Sequence, residues 1–443
     1  MSDNPEARPV VVVGGGIAGL FTGVELKRRG VPVLVLEGAD RPGGVARSIV
    51  SDGYTLEPAA GTLMLPHPAL SPLLAEIGAE MKPAAPAAKI RYVYTGRRLV
   101  EIPASPKVIV APLVSPLAKL RAAAEPLVRT RPPVGDESLD GFMKRRFGRG
   151  MGEMAAWLAA SGVFAGDPRR LSASAAFPAI TGLEDEGGSV IRGGIGRARK
   201  RPAGTPRAGA HYPAGGMTAL AEAAATHLGD AFRPRFEVES VTRTSGGWRV
   251  AGTDTIDASQ VVVAVRPERA ATVLGGDLGD VLDEAVSTPV VVAAMGGTPS
   301  EVPIPEGFGA LIGPAAGLHT RGILFESSYA PDRAPVGHNL TKIIAGGRIH
   351  PELVEWGDRE LTDLLCSEAE RVLGSRFEPS HVEIVRHRPG IPQYELGHRS
   401  WLERIDEALS ANPGLHLTGW GYRGVGVSHL AVDALATADR VTA

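Results

Sequence analysis

Short apolar runs alternate with longer amphipathic stretches at both ends of this 443-residue chain. The run Val10 to Val13 predicts a buried parallel strand, and apolar residues at helical spacing behind it predict a helix. A second apolar run, VPVLVLE, follows and ends at Glu37. Residues 1 to about 66 therefore show the strand and helix alternation that is typical of an α/β fold.

The middle of the chain has a different pattern. Residues from about 91 to 207 are predicted to be mostly helical, and a glycine turn in residues 211 to 229 leads into an amphipathic helix. Strands are predicted in RFEVESVTR, GGWRVAG, SQVVVAV, TPVVVAAM, GFGALIG and TKIIAGG. LTDLLCSEAERVL is predicted to be a helix, and the C-terminal segment returns to a strand and a helix.

The first strand is followed by three glycines in the pattern G-x-G-x-x-G. Gly14 permits a tight turn, Gly16 lets the backbone approach a pyrophosphate, and Gly19 allows the helix to pack closely on the strand. The pyrophosphate would then lie at a helix N-terminus, where free N–H groups favour an anion. Glu37 would accept a hydrogen bond from a ribose hydroxyl and repel a 2′-phosphate, so NADP is disfavoured while NAD and FAD remain.

The next stretch, ADRPGG, bears on the choice between NAD and FAD. Arg41 suits a phosphate oxygen, and Gly44 lets a second loop approach the diphosphate. This continuation resembles the flavoprotein oxidases of the amine oxidase and porphyrinogen oxidase superfamily, which implies FAD, held noncovalently. A second G-x-G-x-x-G, formed by Gly419, Gly421 and Gly424, lies too close to the end of the chain for a nicotinamide domain. We expect this turn and the helix after it to cover the flavin ring.

Four further stretches resemble bacterial protoporphyrinogen oxidases, of the myxobacterial type. They are AKIRYVYTGRRLVEIPASP at 88 to 106, GVFAGDPRRLSASAAFP at 162 to 178, GIPQYELGH at 390 to 398 and GLHLTGWGYRGVG at 414 to 426. The resemblance implies a tetrapyrrole substrate, protoporphyrinogen IX or coproporphyrinogen III, which is oxidised in three two-electron steps at FAD. Oxygen or a quinone would be the electron acceptor, and the protein would be a monomer or a homodimer.

The resemblance also assigns site residues. Arg91 matches an arginine that pairs with a substrate propionate, and a guanidinium fork suits a carboxylate. No catalytic side chain is identified, although His429 is a weak candidate for a base. The cofactor contacts implied are Gly14, Gly16, Ile17, Gly19, Glu37, Arg41, Gly44, Gly61, Thr62, Val238, Val425, Gly426 and Val427.

Two departures from the family pattern concern the substrate. The family has E-Q-G-P-N-S where this chain has Glu57 to Thr62 in the form E-P-A-A-G-T, and Asn-Asp where it has Ser428 and His429. An amine oxidase or desaturase of secondary metabolism on the same scaffold is therefore an alternative. Amine oxidases of this superfamily carry a lysine on a substrate-domain strand, whereas STPVVVAAMGG has none and Lys342 lies in a later strand. A noncatalytic flavin or porphyrin carrier is a third reading.

These elements predict an α/β fold of the p-hydroxybenzoate hydroxylase and amine oxidase type with three parts. Residues 1–66, 208–275 and 384–443 would form a discontinuous Rossmann-like FAD-binding domain, and 67–90 and 276–383 a mixed-sheet substrate domain. Residues 91–207 would form a basic helical insert.

Charge is segregated along the chain. Residues 89 to 207 hold 21 Lys and Arg against 10 Asp and Glu, although the whole chain has a formal net charge of −2. Clusters at 144 to 149 and 197 to 201 suit an anionic substrate or membrane surface, and without interleaved aromatics they do not indicate nucleic acid. No apolar run is long enough to span a membrane. We expect a cytoplasmic protein, peripheral on the inner face of the plasma membrane, with no metal site.

Overall fold

The computed structural model describes residues 8–102, 111–128, 133–202 and 204–443, so the end of the stretch at 88 to 106 lies outside the described residues. The strands are β1 Val10–Val13, β2 Val33–Leu36, β3 Ile49–Ser51, β4 Tyr54–Leu56, β5 Leu63–Leu65, β6 Met81–Pro83, β7 Arg91–Tyr94, β8 Leu99–Ile102, β9 Gly209–Pro213, β10 Phe232–Arg233, β11 Val238–Thr244, β12 Gly247–Gly252, β13 Thr255–Ala258, β14 Gln260–Val263, β15 Ser287–Gly297, β16 Gly309–Ile312, β17 Thr320–Leu324, β18 Asn339–Gly346, β19 His381–Pro392 and β20 Leu415–Leu417. The helices are α1 Ile17–Arg28, α2 Leu70–Glu76, α3 Pro116–Ala123, α4 Leu139–Phe147, α5 Arg149–Phe164, α6 Ala173–Ala176, α7 Pro178–Gly187, α8 Val190–Lys200, α9 Gly216–Leu228, α10 Pro267–Leu274, α11 Gly276–Asp283, α12 Glu326–Tyr329, α13 Asp358–Leu373, α14 His398–Ser410 and α15 Val427–Thr442.

A five-stranded parallel sheet, in the order β10-β2-β1-β14-β20, forms the dinucleotide-binding half. Its strands are apolar on both faces, as a sheet covered on both sides requires. One face packs against α1, α2, α9 and α15. The other face packs against the small sheet β11-β12-β13 and against α10, α11 and α14. The carboxyl ends of β1, β2 and β14 therefore meet at one edge, where such sheets bind ligands.

A seven-stranded mixed sheet, in the order β19-β15-β18-β17-β16-β7-β8, forms the second half. Its apolar residues form a core with α13 on one face. The helices α4 to α6 form a separate small core, into which Tyr394 inserts from the loop after β19. The same core contacts Ile391 and Val425, so the helical segment is joined to both halves.

The observed sheets differ from the predicted segment boundaries. Residues 91–102 form the hairpin β7-β8 at the edge of the seven-stranded sheet, and Pro116 begins the first α-helix in the described part of the predicted insert. Residues 381–392 form β19, which pairs with β15 instead of joining the first half. In contrast, α2, predicted to belong to the substrate domain, packs in the core of the first half. Strand pairing between distant segments decides the first two points and tertiary packing of a helix the third, and periodicity within a segment reports neither.

The basic cluster at 144 to 149 is largely neutralised within the protein. Arg145 forms ion pairs with Glu137 and Glu184, both at 2.7 Å, and Arg146 is buried against Glu125. In the other cluster, Arg197 pairs with Glu186. The charge at 144 to 146 therefore joins α4 to its neighbours in the helical segment, whereas Arg149, Arg199, Lys200 and Arg201 are exposed. Within the described ranges no helix is both long and apolar enough to cross a membrane.

Candidate active site

A cavity of about 670 Å³ opens at the carboxyl edge of the parallel sheet and continues to the seven-stranded sheet. Residues from all three parts of the chain line it, which puts it where the halves and the helical segment meet. The lining consists of Gly14, Gly16, Ile17, Ala18, Glu37, residues 43–46 and 58–62, Ser161, Gly162, Val163, Ala165, residues 264–266, Arg269, Val290, Val292, Lys342, Ile344, His387, Gly390, Ile391, Gly419, Trp420, residues 425–427 and Leu430.

The three glycines of the first motif have separate reasons to be glycine. Gly14 has a φ of +109°, and a Cβ on Gly19 would lie 1.9 Å from the carbonyl oxygen of Gly14, so the fold itself requires both. Gly16 has an ordinary φ of −70°, and a Cβ there would meet no protein atom within 4 Å. Gly16 is thus needed only if something fills the cavity beside it, and the N-terminus of α1 suits a pyrophosphate at that point.

We call the glycine turn, the start of α1 and Glu37 the dinucleotide cradle. Its ribose end is fixed by backbone amides. Oε2 of Glu37 accepts from the N–H of Gly15 at 2.7 Å, and Oε1 accepts from the N–H of Ala39 at 2.8 Å. The carboxylate is therefore held in the cavity wall with lone pairs left for ribose hydroxyls. At the same end, Arg269 lines the cavity and donates to the carbonyl of Val238 at 2.9 Å. The residues present fit FAD.

Most of the predicted cofactor residues meet in the cavity wall. The structure brings together Gly14, Gly16, Ile17, Glu37, Gly44, Gly61, Thr62, Val425, Gly426 and Val427. Gly19 packs below the turn, Arg41 donates to the carbonyl of Gly44 at 3.2 Å, and Val238 lies behind Arg269, so these three do not line it. The second glycine motif forms a turn before α15, as predicted, and the first turn of that helix borders the cavity.

Arg91 and His429 do not line the cavity. Arg91 begins β7 and is exposed, with its guanidinium 5.6 Å from the centroid of the Phe308 ring. The ring of His429 packs beside Gly424, where a Cβ would clash with it. Burial and the nearby His67 lower the pKa of His429. His429 is therefore packed next to the turn that borders the cavity and is not itself part of the cavity wall.

The loop at residues 57–62, which departs from the family pattern, is held by its carbonyl groups. Lys342 donates from Nζ to the carbonyl of Glu57 at 3.0 Å and to that of Ala59 at 3.3 Å. His387 Nε2 lies 3.0 Å from the carbonyl of Pro58, and Arg333 donates to that of Gly61. Because side chains from β18, β19 and the turn after α12 take these carbonyls, the other side of the loop is left for the cofactor.

The anchoring cations belong to a buried charge cluster. Glu326 is 1% exposed, pairs with Arg333, and has Oε1 3.0 Å from Nζ of Lys342. Burial alone would raise the pKa of Glu326, but the two cations outweigh it and hold that pKa at about 2. Burial raises the pKa of the neighbouring Glu57 to about 7, since the same cations offset it only in part. One carboxylate therefore stays ionised while the other titrates near neutrality.

Lys342 corrects an expectation from the sequence. β18 lies beside β15, with Lys342 directly opposite Ala294, so the lysine lines the cavity although it belongs to a later strand. Its ammonium group is occupied by two carbonyls and by Glu326. The absence of a lysine from β15 is therefore a weaker argument against an amine oxidase than the sequence suggested.

Two further cavity residues were missed. Arg266 stacks over Trp420 at 5.5 Å, and burial lowers its pKa. Burial also lowers the pKa of His387, which favours its neutral form. Because Nε2 of His387 faces a carbonyl, that nitrogen carries the hydrogen and Nδ1 is the acceptor. A charged residue directly after the apolar run SQVVVAV was the one signal for Arg266.

Known proteins are similar to this chain in sequence and in fold. A family model described as flavin containing amine oxidoreductase matches residues 17–442. The chain is similar to chloroplastic protoporphyrinogen oxidase of Oryza sativa subsp. japonica, with 31% identity over 98% of this chain and 88% of the relative. It is also similar to coproporphyrinogen III oxidase of Bacillus subtilis (strain 168), with 25% identity over 96% of each chain. A crystal structure from Exiguobacterium sp. 255-15 has a TM-score of 0.81 at 22% identity and 98% coverage of both chains, which confirms the predicted fold class.

Proposed function

The chain belongs to the flavin containing amine oxidoreductase family and is an FAD-dependent oxidoreductase, and from this premise we propose that it oxidises a porphyrinogen. The observation that carries the proposal is that one continuous cavity joins the dinucleotide cradle to an apolar wall. Val163, Val290, Val292, Ile344 and Ile391 form that wall on α5 and the seven-stranded sheet. An apolar wall of this kind suits a flat macrocycle. The names of the two relatives support the same substrate class.

The chain's own residues would bind and orient both partners. Gly16 and Glu37 would hold the pyrophosphate and ribose, and the loop at 57–62 would fix the ring, while bound FAD supplies two-electron acceptance at each of three steps. The apolar wall would exclude water from the macrocycle. Neutral His387, with Nδ1 as its acceptor, is the group on this wall that would accept a proton lost from a pyrrole nitrogen.

The first prediction concerns substrate choice. We expect a higher kcat/KM for protoporphyrinogen IX than for coproporphyrinogen III, because four propionates need more cations around the ring than an apolar wall provides. Both porphyrins would be reduced anaerobically and their oxidation followed by fluorescence at matched concentrations, with protein-free samples to correct for autoxidation. A higher kcat/KM for coproporphyrinogen III would reverse the choice. Binding without turnover would indicate the carrier.

Arg91 remains the proposed contact for a propionate, by resemblance. We predict that Arg91→Ala raises KM for a porphyrinogen far more than it lowers kcat, because a remote contact is held equally in the ground and transition states. The loss of binding free energy should be on the order of 1–3 kcal/mol. Arg97→Ala, an exposed arginine of the same hairpin, is the matched control. An unchanged KM in Arg91→Ala would make Arg91 a surface residue.

Amine oxidation is the second candidate, and the observation that favours it is Lys342 in the cavity wall. It predicts oxidation of primary amines or polyamines by the same preparation that is tested on porphyrinogens. The occupied ammonium group of Lys342 argues against it, because an ammonium tied to Glu326 and to two carbonyls is not available to hold a water molecule.

We further propose oxygen or a quinone as the acceptor and a peripheral contact with a membrane. Support for the membrane contact comes from the helical segment, where Leu117, Leu120 and Leu127 are exposed. Exposed leucines among basic residues are typical of surfaces that lie in a lipid interface.

A further inference from the structure

Arg321 is a buried arginine without a carboxylate partner. Its side chain is 2% exposed, and Nη2 donates to Oγ of Ser161 at 2.8 Å and weakly to the carbonyl of Gly166 at 3.4 Å. Nε is buried and has no acceptor. The guanidinium also lies 4.5 Å from the centroid of the Trp157 ring. Among the described residues no Asp or Glu forms an ion pair with it, so most of its hydrogen-bonding capacity is unused.

Burying a cation without a counter-ion lowers the stability of the folded protein, and other buried arginines of this protein are paired. Arg146 and Arg333 are equally buried, and each is paired with a glutamate. Burial instead lowers the pKa of Arg321 to about 10, and the carboxylate of Asp167 offsets this only in part. Asp167 itself bonds to the backbone and side chain of Arg169. The protein by itself leaves this desolvated charge uncompensated, so an anionic ligand beside the guanidinium would stabilise it.

Arg321 does not itself line the cavity, but its side chain donates to a residue that does. Arg321 lies at an irregularity of β17, where the register with β18 shifts between Thr320 and Gly322. Such bulges re-aim side chains and are enriched beside active sites. The acceptor of Arg321, Ser161, lines the cavity together with Ile344 of the neighbouring strand. The guanidinium therefore lies behind Ser161, next to the wall formed by α5 and the seven-stranded sheet.

We propose that Arg321 and Ser161 form a binding site for a carboxylate carried by the substrate. The guanidinium would present its fork to the carboxylate, and the hydroxyl of Ser161 would turn to donate to the same group. This site rests on the proposed function, because the carboxylate that we expect it to bind is a propionate at the edge of the macrocycle. It differs from Arg91 in being enclosed, so it would discriminate a free acid from its ester.

The test compares binding of protoporphyrin IX and of its dimethyl ester to the holoenzyme, followed by quenching of tryptophan fluorescence. We expect the wild-type protein to bind the acid about 10-fold or more tightly than the ester, as a charge-assisted pair implies. In Arg321→Met this ratio falls several-fold or more, to the preference that the proposed Arg91 contact alone would give, while the affinity for the ester is unchanged. Without a porphyrin, the melting temperature of Arg321→Met is expected to equal or exceed that of wild type, because an uncompensated charge has been removed.

Arg348→Met is the matched control, because Arg348 pairs with Glu395 and does not line the cavity. It should keep the acid preference. If Arg321→Met does not fold, Arg321→Lys keeps the charge without the fork and should reduce the ratio several-fold. Failure of both variants to fold, an undiminished acid preference in Arg321→Met, or equal weakening of acid and ester with a lower melting temperature would each overturn the site.

Turnover separates this site from the proposed function. An acid preference that depends on Arg321, in a protein that oxidises no porphyrinogen, would leave the carboxylate site standing and remove the proposed activity. Oxidation of porphyrinogens by a wild-type protein that binds acid and ester equally would do the reverse.

Discussion

Replacing Gly16 with valine is expected to give a folded, colourless protein that no longer holds FAD. The φ of −70° and ψ of 172° at Gly16 suit any residue, and a Cβ there meets no protein atom within 4 Å. The added side chain would instead stand in the cavity, where a pyrophosphate would lie against the N-terminus of α1. We expect FAD affinity to fall by about 100-fold or more, on the order of 3 kcal/mol, with activity lost in parallel.

Two controls separate occlusion of the site from damage to the fold. Gly196→Val, in α8, also adds a side chain where no protein atom lies within 4 Å, but far from the cavity, and should purify yellow. Gly19→Ala places a Cβ against the carbonyl oxygen of Gly14 and should lose both FAD and stability. Visible flavin absorbance, FAD titration and circular dichroism measure these outcomes. Normal FAD binding by Gly16→Val would refute the placement of the cradle.

The second large effect is expected in Glu326→Gln. Removing this carboxylate leaves two buried cations, Arg333 and Lys342, without their counter-ion, and breaking a buried ion pair costs about 3–5 kcal/mol of unfolding free energy. The pKa of Glu326 is held at about 2, below its usual 4.5, so its contribution is present above about pH 4.5 and is lost as the pH falls toward 2. The acid-induced loss of stability should therefore be smaller in Glu326→Gln.

Chemical denaturation of the holoprotein at neutral pH measures the loss of unfolding free energy. The same measurement over a pH series shows whether the acid-induced loss of stability is smaller in the variant. Glu284→Gln is the control, because Glu284 and Arg404 form a half-exposed pair that contributes at most about 1 kcal/mol. The cluster also anchors the loop at 57–62, so Glu326→Gln should weaken FAD binding as well. A loss of less than about 1 kcal/mol would mean that the cations find other compensation.

The cofactor half of the site could be predicted because its chemistry is local. Gly14, Gly16 and Glu37 lie within one strand, helix and strand unit, where short-range sterics and hydrogen bonds fix the geometry. The turn before α15 was predicted for the same reason, as a glycine turn next to a strand and a helix. Family resemblance then identified FAD, which the glycines by themselves left open against NAD.

The substrate half could not be predicted in this way. Lys342 was set aside because it lies far along the chain from β15, yet the order of strands places it opposite Ala294. Arg321 is one charged residue in a short strand, and only the bulge in β17 and the packing of α5 bring it to Ser161. The cluster at 144 to 149 suggested a ligand surface, whereas partners distant in the sequence neutralise it.

The sequence by itself therefore determined the α/β class, the cradle for the dinucleotide and the main strands and helices, since these depend on contacts between residues that are near in the chain. Only the tertiary structure decided which strands share a sheet, which cations are paired, and which buried polar groups face the cavity. The physical reason is that the free energy of a buried charge is set by its nearest neighbours in space. In the seven-stranded sheet those neighbours come from segments far apart in the chain, since its order is β19-β15-β18-β17-β16-β7-β8.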